Sequence, residues 1–237
     1  MAKFVRSLVA AALLAGVAAG ASAAVLVVRS SGPSAGAYPP GKAIPESTSL
    51  KLKANDVVVL LDSRGTRTLR GPGDFSAAAS AGATASNNAP RRSGGISRIQ
   101  AVRGAPTGAT QGRNIWQADV SRSGAVCVAN PSDLGLYRAG NRDEADVILT
   151  SGTGKQSVVH FEPGQSIARW PSDLSVSSGA RFNVKGGGSN ADITVKMLGG
   201  NSAGMEAVAQ DFIRNDCQAQ LDVLIDTFTG PQDGSAS

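Results

Sequence analysis

His160 is the single histidine of this 237-residue chain and the residue best suited to acid-base chemistry near neutral pH. A Ser-His-acid hydrolase would use such a residue as the general base, with a serine nucleophile and an orienting carboxylate brought close by the fold. His160 alternates with Val159 and Phe161, as a solvent-facing residue of a strand would. We therefore predict no catalytic residue, and we keep a small secreted hydrolase with His160 as general base as the alternative.

Metal-ligating residues are equally sparse. One histidine and two distant cysteines do not supply the ligands of a zinc site. Asp143, Glu144 and Asp146 form an acidic cluster, but no Asp-x-Asp-x-Asp-Gly loop surrounds it, which favours a solvated turn over a calcium site. The Gly-Thr-Gly-Lys stretch at 152–155 lacks the outer residues of a phosphate-binding loop and indicates a hairpin turn. We predict neither a metal nor another cofactor.

Cys127 and Cys217 are the only cysteines. In an oxidising compartment a pair this far apart in sequence favours a disulfide, whereas two separate buried thiols are the alternative. The loop-entropy model gives a bridge over about 90 residues roughly 4 to 5 kcal/mol of stabilisation. Because the chain has no Cys-x-x-Cys motif, a redox enzyme is disfavoured.

Charge is distributed unevenly along the chain. Residues 62–113 hold eight arginines and two aspartates, a net charge of +6, whereas residues 114–237 hold 9 basic and 14 acidic residues, a net charge of −5. The basic stretch keeps a linker solvated, lies against the acidic half of its own chain, or contacts an anionic partner. The candidate contacts for such a partner are Arg64, Arg67, Arg70, Arg91 and Arg92. Nucleic acid is not expected, since the interleaved aromatic residues of single-strand binders are absent.

The first residues are typical of a secretory signal peptide. Lys3 and Arg6 precede an uncharged apolar run, and Ala21-Ser22-Ala23 forms an A-x-A cleavage site. We predict cleavage after Ala23 and a periplasmic or secreted protein. The alternative is an anchor that stays uncleaved, because the uncharged stretch continues to Val28 and reaches the length of a membrane span. After cleavage no stable transmembrane segment is expected.

The remaining chain divides into blocks by composition. We predict a small β-module at 24–75, a flexible basic low-complexity linker at 76–113, a β-sandwich at 114–200, a C-terminal helix at 201–229 and a disordered tail at 230–237. In the sandwich block, eight short apolar runs follow one another at spacings near ten residues, as in antiparallel sandwiches. The fold class is thus mainly β.

The C-terminal helix is amphipathic. Apolar residues recur at helical spacing from Met205 to Phe228, and Cys217 lies among them. Asn215-Asp216 could divide it into two short helices, with the asparagine closing the first and the aspartate capping the second. A disulfide to Cys127, on a predicted strand, would hold this helix on the sandwich.

Two resemblances bear on the family. The segment 52–61, with its Asn-Asp turn and valine-rich strand, and the following segment 65–75 resemble the opening strands of FecR-type extracytoplasmic β-domains. Asn55 stands where that family has glycine, and both residues tolerate a left-handed backbone. The whole chain is also similar to a group of exported proteins of Gram-negative bacteria that carry no assigned activity. They share the Tyr38 to Gly41 stretch, the Gly-Pro-Gly segment at 71–73, the Cys-Val-Ala strand at 127–129, the Arg-Trp-Pro element at 169–171 and a late helical cysteine.

These observations predict a non-catalytic exported protein of the cell envelope. It would act as a binding or assembly module for an unidentified envelope protein or glycan, because such modules take their function from their partners.

Overall fold

The computed structural model describes residues 24–78, 113–140, 142–199 and 204–229. These residues form a mainly β fold with two C-terminal helices, as predicted. The signal peptide, the tail, most of the linker, and Arg91 and Arg92 lie outside the described residues. The strands are β1 (Ala24–Ser31), β2 (Ala43–Pro45), β3 (Ser49–Leu52), β4 (Val57–Asp62), β5 (Gly65–Arg70), β6 (Gly73–Ser76), β7 (Gln117–Asp119), β8 (Gly124–Val128), β9 (Gly135–Tyr137), β10 (Ala145–Ser151), β11 (Gln156–Phe161), β12 (Ile167–Arg169), β13 (Arg181–Gly186) and β14 (Ser189–Met197). The helices are α1 (Met205–Arg214) and α2 (Gln218–Thr227), and one 3-10 turn spans Pro131–Asp133.

The N-terminal strands form a four-stranded antiparallel sheet in the order β2-β1-β4-β5, beside a two-stranded sheet of β3 and β6. Both faces of β1 and β4 are buried. Val25, Val58 and Leu60 face the core beneath the small sheet, whereas Leu26 and Leu61 face the helices. This double burial explains the continuous apolar runs of these two strands, since a strand covered on one face alone would alternate with polar residues.

The turn before β4 has the left-handed residue that the sequence predicts. Asn55 has φ 68°. The next residue, Asp56, is buried, and its carboxylate accepts hydrogen bonds from the backbone N–H groups of Ser34 at 2.8 Å and Lys53 at 2.5 Å. Burial acts to raise the pKa of Asp56, but the hydrogen bonds from Ser34 and Lys53 outweigh it and lower that pKa. The ionised carboxylate therefore joins the loop after β1 to the turn between β3 and β4.

The second β-region is a sandwich. A five-stranded sheet in the order β11-β10-β13-β14-β8 packs against a three-stranded sheet in the order β12-β9-β7. The sequence pattern predicted antiparallel pairing throughout, but β8 joins β14 in parallel and β7 joins β9 in parallel. Two parallel strands cannot be joined by a tight hairpin and need a long crossover connection. Here the strands that lie between each parallel pair in the sequence form that connection.

The two helices form a layer between the two β-regions. Phe212, Leu221 and Leu224 pack in one core with Leu26 and Leu61 of the N-terminal sheet and with Cys127 of β8. Asp222 on α2 forms ion pairs with Arg29 on β1 and with Arg122, at 2.9 Å, in the loop before β8. The helices thus contact both β-regions, whereas the sequence predicted packing on the sandwich alone.

The break between the helices falls where Asn215-Asp216 predicted it. Asn215 closes α1, and its side-chain amide donates to the carbonyl oxygen of Asp211 at 2.9 Å. The predicted cap of α2 was wrong: Cys217 is the N-cap residue, and Asp216 has φ 58°. Asp216 occupies the left-handed position that reverses the chain, so its carboxylate is not placed at the first turn of α2.

The β8 edge of the five-stranded sheet is covered by α2. Cys127 is fully buried and forms a disulfide with Cys217, the residue that precedes α2. The Gln220 side chain, also buried, accepts from the backbone N–H of Cys127 at 2.6 Å and donates to its carbonyl oxygen at 2.7 Å. It also donates to the carbonyl oxygen of Ile115 at 2.7 Å. One side-chain amide thereby takes the place of a neighbouring strand.

Candidate functional site

The opposite edge of the same sheet carries the only histidine. His160 on β11 lies directly across from Asp146 on β10, and its Nδ1 is 2.7 Å from Asp146 Oδ1. Its Nε2 lies 3.6 Å from Glu162 Oε1. All three side chains are about half exposed or more. The structure therefore groups the predicted general base with two carboxylates at a solvent-exposed position.

The carboxylates stabilise the charged form of the histidine. The hydrogen bond to Asp146 is the main reason that the pKa of His160 is raised, with smaller contributions from the charges of Glu162, Asp146 and Glu144. The imidazolium form pairs with both nearby carboxylates. A base that must accept a proton from a serine needs a free ring nitrogen, and here Nε2 faces Glu162 rather than a hydroxyl group.

A Gly-x-Ser-x-Gly sequence occurs at 32–36. Such a motif acts as a nucleophile elbow only between a strand and a helix. Here it follows β1 and continues as turns toward β2, and the backbone N–H of Ser34 is bound to Asp56. A Cβ at Gly32 would lie 2.5 Å from Asp56 Oδ1, so the close approach of that carboxylate accounts for the glycine.

Next to His160 the surface of this hairpin is apolar. Ile148 and Val158 are the large hydrophobic residues with exposed side chains in the described part of the chain, at 38% and 60% exposure. They are direct cross-strand partners, one on β10 and one on β11. Exposed apolar side chains that cluster rather than scatter are typical of contact surfaces.

The backbone of β11 is also free on one side. Ser151 N–H donates to Lys155 O, and Gly152 N–H donates to Arg181 O, which fixes the alternation of the hydrogen bonds along β10. Odd-numbered residues of β11 pair with β10, and the N–H and C=O groups of Gln156, Val158 and His160 point away from the sheet. Within the described ranges no backbone group pairs with them. We call this strand edge, together with Ile148, Asp146 and Glu162, the open edge.

A groove adjoins the turn end of the same hairpin. It has a volume of about 560 Å³ and lies between the β10–β11 turn and the segment before β13. Lys155 reaches across it, donating from Nζ to the backbone oxygen of Asp173 at 2.7 Å. Its lining includes the hydroxyl groups of Ser151, Thr153, Ser175 and Ser177. The groove offers hydrogen-bonding groups to a ligand but no buried charge.

The five arginines predicted as anionic-partner contacts do not form one exposed set. Arg67 is buried, and its guanidinium donates to the backbone oxygens of Ser76, at 3.0 Å, and Ala77. Arg64 is paired with Asp62 at 3.2 Å, and Arg70 is exposed. Arg91 and Arg92 lie outside the described residues. Arg67 therefore holds the end of β6 in place, and of the described three only Arg64 and Arg70 reach the surface.

The structure brings together one pair that sequence reasoning treated separately. The sequence predicts Asp146 in a solvated acidic turn and His160 on a separate, solvent-facing strand. A hairpin centred on Thr153 places residues equally distant from Thr153 opposite one another, so Asp146 meets His160. The predicted turn at 152–155 is centred half a residue later and would place Asp146 opposite Phe161, so the sequence predicted the hairpin but not this pair. Among the residues that the structure describes, no group of three His, Cys, Asp or Glu side chains has an arrangement that could hold a metal ion.

No described helix is long and apolar enough to cross a membrane. Comparisons with protein-family models, with curated proteins and with solved structures find no match to this chain.

Proposed function

We propose that this chain is an exported protein of the cell envelope that works as a binding or assembly module, with the open edge as its contact surface. The disulfide is consistent with an oxidising compartment and hence with export after removal of residues 1–23. The N-terminal sheet, with its left-handed Asn55 before β4 and the β4–β5 hairpin, is consistent with the proposed likeness to FecR-type β-domains. The partner is an envelope protein or glycan.

The observation that carries this proposal is the coincidence of two features on one strand. β11 combines unpaired backbone groups at Gln156, Val158 and His160 with Val158, the more exposed of the two large hydrophobic residues that are exposed in the described ranges. Strand edges are usually blunted or covered because they bind other chains. An edge that is left open and apolar in a protein with a covered second edge is best explained by a partner that covers it.

A photo-reactive residue at position 158 tests this proposal. We expect illumination of cells that express the variant from its own gene to give one discrete adduct of the protein, which excess purified protein competes away. The matched control carries the same residue at position 51, since the Lys51 side chain is 83% exposed on the N-terminal region. Equal labelling at both positions, or no adduct at 158, would remove the proposal.

The alternative is a small secreted hydrolase with His160 as general base. Its support is the 2.7 Å contact between His160 and Asp146, which is the geometry of a histidine oriented by a carboxylate. We expect His160→Ala to leave any hydrolysis of a panel of esters, peptides and glycans unchanged. A loss of activity of about a hundredfold or more, with the variant still folded, would instead favour the hydrolase.

A further inference from the structure

We propose that the partner at the open edge is an extended basic peptide segment that adds to β11 as a sixth strand of the five-stranded sheet. This inference rests on the proposed function and adds the chemistry of the partner. The segment would carry an apolar residue and a lysine or arginine two positions apart, and we call this pair of residues the signature. Its backbone gives affinity, and these two side chains give selectivity.

The register of β11 determines what an added strand would meet. Gln156, Val158 and His160 alternate with residues bonded to β10, so their N–H and C=O groups match the spacing of one further strand. Their side chains emerge on the exposed face, because the buried Phe161 has the opposite parity. An added strand therefore places two of its own side chains beside Val158 and His160 on that face, whichever direction it runs.

The apolar half of the signature comes from Val158 and Ile148. Val158 is 60% exposed, and because Ile148 is its neighbour on β10, its other side faces the added strand. Direct cross-strand neighbours lie about 5 Å apart at Cβ, close enough for two apolar side chains to cover one another. A valine or isoleucine opposite Val158 would bury both side chains in a way that a polar residue would not.

The basic half comes from the charges around His160. Asp146 is in contact with the ring, Glu162 lies two residues further along, and Glu144 contributes to the local field. The nearest cation on β13 in register is Lys185, opposite Ile148, with β10 and β11 between it and the open edge. Lys155, at the turn end, is engaged with Asp173. Asp146, Glu162 and Glu144 together outnumber the single positive charge of a protonated His160, so the end of the edge near His160 stays acidic and selects a cation.

The test is selection from a phage-displayed library of random dodecapeptides on the purified, disulfide-bonded protein, followed by amide hydrogen exchange measured by NMR. We expect the enriched peptides to share a basic and an apolar residue two positions apart. Bound peptide should slow exchange at Gln156, Val158 and His160 and leave β8 unchanged.

Variants of the protein test each half of the signature. Glu162→Gln should weaken an enriched basic peptide by about two- to fivefold, as exposed charge pairs do. Val158→Thr should weaken it by about fourfold, the fold-change that one buried methyl group represents. The matched control is Asp74→Asn, an exposed carboxylate on the N-terminal region whose replacement should leave the affinity unchanged.

Four results would overturn the proposal. Enriched peptides that are acidic or lack the signature would do so, and so would exchange protection elsewhere than β11. A dimer of the purified protein that Val158→Lys separates would assign the edge to a second copy instead. If the adduct at position 158 forms and the selection yields no peptide, the binding-module function stands and this inference fails; if neither appears, both fail.

Discussion

The two edges of the five-stranded sheet are treated in opposite ways. At β8 the edge is sealed: Cys127 is joined to Cys217, its backbone groups bind the Gln220 amide, and the helices cover its outer face. At β11 the edge carries exposed Val158, a solvent-exposed His160 and backbone groups without partners in the described ranges. Both strands belong to one sheet, so the difference comes from what packs on them.

This contrast separates stability from interaction. Buried polar groups must be paired, because leaving one without a partner costs about 1 to 3 kcal/mol. The sealed edge meets this requirement within the chain. At the open edge, water forms the hydrogen bonds with the free backbone groups, and a partner strand can replace that water. Substitutions at β8 should therefore affect folding, whereas substitutions at β11 should affect binding.

The largest expected effect is loss of the disulfide at the sealed edge. We expect the double variant Cys127→Ala, Cys217→Ala to lose about 2 to 5 kcal/mol of unfolding free energy, since the bridge closes a loop of 90 residues in the unfolded chain. Chemical denaturation of the oxidised protein and the variant measures this loss. Equal denaturation midpoints would show that α2 is held without the bridge.

The Gln220 contact should come next. Gln220→Ala leaves the backbone N–H and C=O of Cys127 and the carbonyl of Ile115 buried without that partner, and we expect a cost of about 2 to 4 kcal/mol. The control is Gln218→Ala on the same helix, whose exposed amide contacts Asp216 and whose loss should cost under about 0.5 kcal/mol. Similar losses for both variants would contradict the role assigned to Gln220.

At the open edge the same kind of change should leave folding almost unaffected. Val158→Thr keeps the β-branched shape at an exposed position, so we expect a stability change within about 0.5 kcal/mol. Thermal unfolding measures it beside the peptide affinity. A large loss of stability would mean that Val158 is covered in the folded protein, and the contrast between the edges would disappear.

The smallest expected effect is the pH dependence of His160. The folded-state pKa is raised above 6.5 by the bond to Asp146, so its contribution to stability is complete below the unfolded pKa and is lost as pH rises through the folded pKa. We expect Asp146→Asn to lower the melting temperature slightly at pH 5 and not at pH 9. An equal decrease at both pH values would show that charge on His160 is not the cause.

The local features of the fold could be predicted from the sequence because they depend on residues close together in the chain. The strands of the sandwich and the helical C-terminus follow from short-range periodicity, and Asn55 and Asn215 act within one turn of their own position. The parallel pairing of β8 with β14 could not be predicted that way, because no local pattern marks which distant strand becomes a neighbour. The burial of Arg67 was missed for the same reason: its hydrogen-bond acceptors, the backbone oxygens of Ser76 and Ala77, belong to another strand and the residue that follows it.

The candidate site shows both kinds of feature, those that depend on local sequence and those that depend on the tertiary structure. The sequence by itself predicted a hairpin turn at 152–155 and hence the pairing of the strands on either side of it, whereas the register that places Asp146 opposite His160 comes from a turn centred on Thr153. Only the tertiary structure decided that β11 is an edge strand with an open side and β8 an edge strand covered by Gln220. Cross-strand partners in a hairpin are set by the chain between them, whereas exposure of an edge depends on every element that folds against it.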